Sequence, residues 1–155
     1  MKHILFSLFM IGATLSFTSC TKDSPEIQAQ KKQLEGDWTY DAVSVRRSGT
    51  TNEIDVTADF DQYTFTFDDK GKLTRRNAEN NRTEDGKWSL ESASMTTSEG
   101  VTLTTGQKLT LNLKEELFGN NIDEEWNNVV VGESTLTGEH SKDGKLYTIR
   151  LRKVN

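Results

Sequence analysis

Several residue types that most enzymes and secreted scaffolds depend on are almost missing from this chain. It has one cysteine, Cys20, so no disulfide can form within it and a disulfide-stapled fold is excluded. It has two histidines, His3 and His140, too few for a His/Cys zinc cluster, and a Ser-His-Asp arrangement would have little choice of base. The single proline, Pro25, leaves no Pro-rich linker. Apolar runs are scarce too. Residues 4–17 form the one sustained stretch, and Lys22 and Asp23 follow before the roughly 20 apolar residues of a spanning helix are reached.

That stretch, opened by Lys2 and His3, has the form of a signal-peptide core. The small residues Thr18 and Ser19 directly before Cys20 resemble the bacterial lipoprotein lipobox. The resemblance implies that the thiol receives a diacylglyceryl group, that the peptide is cut before Cys20, and that the new amino terminus is acylated. Thr21-Lys22-Asp23-Ser24 resembles the lysine-plus-acid signal that sends lipoproteins of Bacteroidetes-type bacteria to the outer face of the outer membrane. Two or more acyl chains hold a protein stably on a bilayer. The expectation is therefore an outer-membrane protein anchored through Cys20, on the cell surface rather than the periplasmic face. The residues alone also allow a plain secretory cleavage site beside an incidental cysteine.

Loss of residues 1–19 removes one charged residue, Lys2, and moves the formal net charge from −5 to −6. An acidic chain with no basic stripe argues against nucleic acid, whose phosphates need Lys and Arg. It also argues against peripheral adhesion to anionic headgroups. After a tether and short helix over 20–33, residues 34–155 make one domain, large enough to bury nearly two-thirds of its unfolded surface.

The helix is expected over 25–34. Ser24 can cap it, Pro25 suits its first turn, Glu26 lies at the positive end of the dipole, and Gly36 can follow its stop. Leu34-Glu35-Gly36-Asp37-Trp38 then opens a first strand running to about residue 47, with a bulge near Asp41 or Ala42 where the apolar parity changes. A short helix followed by Gly-x-Trp resembles the lipocalin entry motif, and the position shortly after a lipobox is similar to the lipocalin-like domains of small Bacteroidetes lipoproteins. The resemblance implies that Gly36 and Trp38 plug one end of a barrel, with Arg150 or Arg152 from the last strand packed across the Trp ring.

Strand alternation is clearest at 62–68, where Tyr63, Phe65 and Phe67 share one face, and at 145–153, with Tyr147, Ile149 and Leu151. Further strands are expected at 72–76, 86–90, 108–113 and 129–140, the last bulged at Gly132. Hairpin turns are expected at 69–72, 84–87 and 142–145, each placing Gly before Lys. Residues 48–59 and 92–105 read as loops, the second with a short strand at Val101 and Leu103. Within 114–128, Asn121 as cap and the Ile122/Trp126 spacing predict one or two helical turns. The fold class is all-β: a small antiparallel lipocalin-like barrel of about eight strands with a short N-terminal helix.

Chemistry is sparse. His140, beside the 142–145 turn, reads as an exposed turn residue. Asp59 with Asp61, and Asp123, Glu124 and Glu125, lack the spacing of a calcium loop. Adjacent pairs such as Glu115 and Glu116 arise readily in so acidic a chain. No cofactor motif is present, and catalysis is not expected. The expected function is a binding domain for a small apolar or amphipathic ligand, with Tyr63, Trp88 and Trp126 as lining and Phe65 and Phe67 as neighbouring filler. The alternative is an envelope interaction module acting through acidic charge and the 48–59 and 92–105 loops, as an inhibitor, immunity or assembly factor.

Overall fold

Residues 23–96, 102–114 and 123–154 are described by the computed structural model of the chain. The first element is α1 (Pro25–Leu34), where Ser24 Oγ accepts from the Ile27 amide at 3.3 Å and Pro25 fills the first turn. Its apolar residues Ile27 and Leu34 are buried. They are too few for a helix that stands alone, so α1 depends on the sheet beneath it.

Nine strands follow among the described residues: β1 (Gly36–Arg47), β2 (Glu53–Asp55), β3 (Tyr63–Phe67), β4 (Lys72–Asn77), β5 (Arg82–Thr96), β6 (Thr102–Asn112), β7 (Asp123–Val131), β8 (Thr135–Lys142) and β9 (Lys145–Lys153). All pair antiparallel. Strands β3 to β9 are joined each to the next, and β9 returns to β1, so the sheet closes into an eight-stranded barrel. β2 is the extra piece: β1 pairs with β3 through its first half and with β2 through Ser44–Arg46. Closure removes the open edges that an eight-stranded sheet would otherwise expose.

Period-two alternation directs Trp38, Tyr40, Phe65, Phe67, Leu73, Leu109, Leu111, Leu136, Ile149 and Leu151 inward, where all are buried. The parity change in β1 is a register shift between Tyr40 and Ala42, which keeps Val43 inside. Each large side chain so buried contributes about 1.5–3 kcal/mol of transfer free energy.

Five expectations need correction. The loop expected over 92–105 is strand where it is described, with β5 running on to Thr96 and β6 starting at Thr102. Residues 84–87 are not a turn: Gly86 lies within β5, opposite Leu73. The chain reverses earlier, between Asn77 and Arg82, where Asn81 adopts φ 52° and the Asn77 side chain accepts from the Glu79 amide at 2.9 Å. Glycine is needed at 86 for another reason, since a Cβ there would lie 2.1 Å from the Asn112 carbonyl oxygen.

Residues 129–140 are not one bulged strand. They break at 132–134, where the Gly132 amide donates to the Thr135 carbonyl at 2.8 Å. The helix expected around 121–126 is strand from Asp123 onward, because Glu124 and Trp126 alternate inward against Leu111 and Leu109. Within the expected loop 48–59 lie β2 and a 3-10 turn, Thr57–Asp59. Cys20, Val101, Phe118 and Ile122 lie outside the described residues, as do the signal segment and the lipobox.

Candidate functional site

The two ends of the barrel differ in what fills them. At the α1 end the Trp38 indole is fully buried and donates to the Leu34 carbonyl at 2.7 Å. The cation over its ring is Lys153, 5.2 Å from the centroid, whose ammonium also donates to the Gln33 carbonyl at 2.8 Å. Arg150 and Arg152 do not fill that role. β9 alternation turns both outward toward Asp41, at 2.5 Å and 4.0 Å. Lys153, one residue beyond Arg152, reaches around the barrel rim above Gly36.

The opposite end is polar. Register places Arg75 of β4 between Phe65 of β3 and Glu84 of β5. Arg75 is 5% exposed, and its Nη2 donates to Glu84 Oε2 at 2.6 Å. Its guanidinium also stacks on the Tyr63 ring, 5.3 Å from the centroid. In a site this dry the pair is held by both charge and hydrogen bonding. Together with Asn77, Asn80, Arg82 and Lys114, these residues line a pocket of about 450 Å³. The Asn-rich turn after β4 forms one wall. Asn80 Oδ1 accepts from the Arg82 amide at 3.0 Å, and the Ala78 amide donates to the Gln62 carbonyl at 2.9 Å.

Between the ends sits Tyr40, its ring against Phe60 and Phe65 at 5.4 and 5.5 Å. Burial pushes its phenol well above the ordinary tyrosine value. Nearby Glu124 adds to the rise and Arg75 opposes it. The buried hydroxyl has no hydrogen-bond partner among the described residues, and neither does the buried Trp126 Nε1. Unmatched buried donors are rare and costly, about 1–3 kcal/mol each.

Of the residues expected to line a ligand site, the structure puts only Tyr63 at the pocket. Trp88 lies near the α1 end, its ring edge-on to Phe67 at 5.7 Å and its Nε1 donating to the Asp68 carbonyl at 3.2 Å. Trp126 is fully buried, packed beside Gly138. His140 is not an exposed turn residue: it is buried in β8 with Nδ1 3.0 Å from the Glu125 carbonyl oxygen. Arg75, Glu84 and Glu124 were missed. The signal was present, since alternation from Leu73 puts Arg75 on the inner face, but a charged residue reads as outward-facing by default.

Among the described residues no group of three or more His, Cys, Asp or Glu side chains is placed to hold a metal ion. No helix among them is long and apolar enough to cross a membrane. Comparison of the chain with family models, with curated proteins and with solved structures finds no match to any of them.

Proposed function

We propose that this chain is a lipid-anchored outer-membrane protein, held through Cys20, whose barrel is a non-catalytic binding domain for a small amphipathic ligand taken at its open end. The observation that carries this reading is the buried Arg75–Glu84 pair with the Tyr63 ring at the floor of a 450 Å³ pocket. Concave sites of several hundred cubic ångströms with a few fixed polar groups are the usual form of small-ligand sites. Packed aromatics fill the barrel beneath, so the ligand sits in the mouth. Its polar group meets Arg75 and Glu84, and its apolar part lies against Tyr63. Binding rather than catalysis fits the inventory: the mature chain keeps one histidine, and Nδ1 of that residue faces a backbone carbonyl.

The filled lower barrel supports a second reading, an envelope interaction module that binds another protein through its exterior. Native mass spectrometry of the whole processed protein, extracted from its own envelope in mild detergent, separates the two. A co-purifying small molecule that is lost in the double variant Arg75→Met/Glu84→Leu supports the pocket. An empty barrel that brings down one envelope protein moves the weight to the second reading. For the anchor, Cys20→Ala is expected to abolish fatty-acid labelling and release the protein from membranes; a variant that still labels and still sediments refutes it.

A further inference from the structure

Several cations of this acidic protein are matched to carboxylates on a neighbouring strand. Arg75 meets Glu84, Lys72 meets Asp85 at 3.0 Å, and Lys108 lies between Glu91 and Glu125 at 3.0 and 3.3 Å. One end of three neighbouring strands gathers cations that are not so matched among the described residues. β1 ends in Arg46 and Arg47, β8 ends in Lys142, and β9 begins with Lys145. Register sets Arg47 opposite Lys145, and Lys145 opposite Lys142. Three cations thus occupy adjacent positions on three neighbouring strands, with Cβ atoms about 5 Å apart, an arrangement that opposes strand pairing.

None of Arg46, Arg47, Lys142 and Lys145 has a carboxylate oxygen within ion-pair distance among the described residues. The Lys142 ammonium is in addition screened from solvent, with no hydrogen-bond acceptor among the described residues. A desolvated cation without a partner is among the more costly features a fold can carry. These four residues, with Ser48 and Ser141, line a groove of about 380 Å³. Its one carboxylate, Asp143, belongs to the left-handed hairpin turn and makes no ion pair. The groove is held by backbone: Asp143 and Gly144 close the β8–β9 hairpin at φ 49° and 69°, and the Ser48 amide donates to the Gly144 carbonyl at 2.8 Å.

The geometry points to an anion site in this groove: a phosphate group, as its dianion, seated among Arg47, Lys142 and Lys145. A tetrahedral dianion can meet cations arriving from three strands at once, whereas a carboxylate satisfies two. Bound there, it converts mutual repulsion into three charge-assisted contacts. Free phosphate and the phosphate headgroup of an envelope lipid share this chemistry. The site is separate from the Arg75 pocket and stands whether or not that pocket is occupied.

Calorimetry on the whole protein in a neutral maltoside detergent tests it, with inorganic phosphate, dioctanoyl phosphatidic acid and dioctanoyl phosphatidylcholine as probes. At least one of the first two is expected to bind, with affinity lowered tenfold or more by Lys145→Gln and unchanged by Arg75→Met/Glu84→Leu. Equal affinity for inorganic phosphate and phosphatidic acid identifies the free group as sufficient; a tenfold preference for the lipid identifies the headgroup. Without phosphate, Lys145→Gln is expected to raise the melting temperature, because it removes the central like charge; at saturating phosphate the order reverses. Failure of both probes to bind, equal binding of phosphatidylcholine, or a Lys145→Gln effect under twofold overturns the site.

Discussion

At the α1 end of the barrel, Trp38 lies fully buried under Leu34 with its one polar atom matched and Lys153 folded over its face. At the other end, Arg75 and Glu84 are nearly as well buried, yet they form the floor of a pocket, with an unmatched Tyr40 hydroxyl in the layer beneath. The same strands run through both ends, so neither strand chemistry nor closure explains the contrast. The difference lies in which groups are satisfied internally. A lid of helix completes one end, whereas the other keeps charge in a low-dielectric setting that burial alone would not select. The first end is closed by packing, and the second keeps a charged pair at a pocket.

The contrast can be broken most forcibly at the closed end. Trp38→Ala is expected to lower unfolding free energy by about 4 kcal/mol in chemical denaturation, since it removes a large buried ring and opens a cavity beneath α1. A loss under about 1 kcal/mol would mean that this end is not the keystone described here. At the open end, Glu84→Leu removes the carboxylate to which the buried Arg75 Nη2 donates, and a loss of about 3 kcal/mol is expected. The double variant Arg75→Met/Glu84→Leu should recover to within about 1 kcal/mol of the parent, because two apolar groups replace a pair whose desolvation offsets most of its attraction. If the double variant is as unstable as the single, the pair is structural and the two ends are alike.

Tyr40 sharpens the comparison through pH. Its phenol is raised above 10.0 in the fold, chiefly by burial. The stability this neutral phenol supports is fully present below the unfolded value and is lost as pH rises from about 10 toward the folded value, since only the unfolded chain releases the proton there. The slope approaches about 1.4 kcal/mol per pH unit. Tyr40→Phe is expected to flatten alkaline unfolding above pH 10. An unchanged alkaline limb would place the hydroxyl in contact with water.

Local rules were legible and long-range ones were not. The caps Ser24 and Pro25 bounded α1, and alternation in Tyr63–Phe67 and Lys145–Lys153 gave β3 and β9 and, with the turn residues, the all-β barrel. At residue 86 the same Asp-Gly-Lys pattern that turns the chain at 143–145 lies inside a strand. Tight packing against Asn112 requires glycine there, and that contact comes from a strand more than twenty residues away. Trp126 and Ile122 had helical spacing, but Leu109 across the sheet decided for strand. The site fared worse. Arg47 and Lys145 are far apart in sequence and become neighbours only through register, and a net charge of −5 conceals such a cluster.

The pairing of β1 with β9 also dictates when the molecule can come into being. Asp41 meets Arg150 across 109 positions, and Gln33 meets Lys153 across 120. The junctions from β1–β3 to β7–β8 can be made before β9 arrives and β8–β9 joins neighbours in sequence, whereas β1–β9 joins the first strand to the last. Contacts of such separation carry a large loop-closure entropy and slow folding. The ring is therefore sealed last. Until then the chain is an incomplete sheet with two raw edges, open to pairing with another strand.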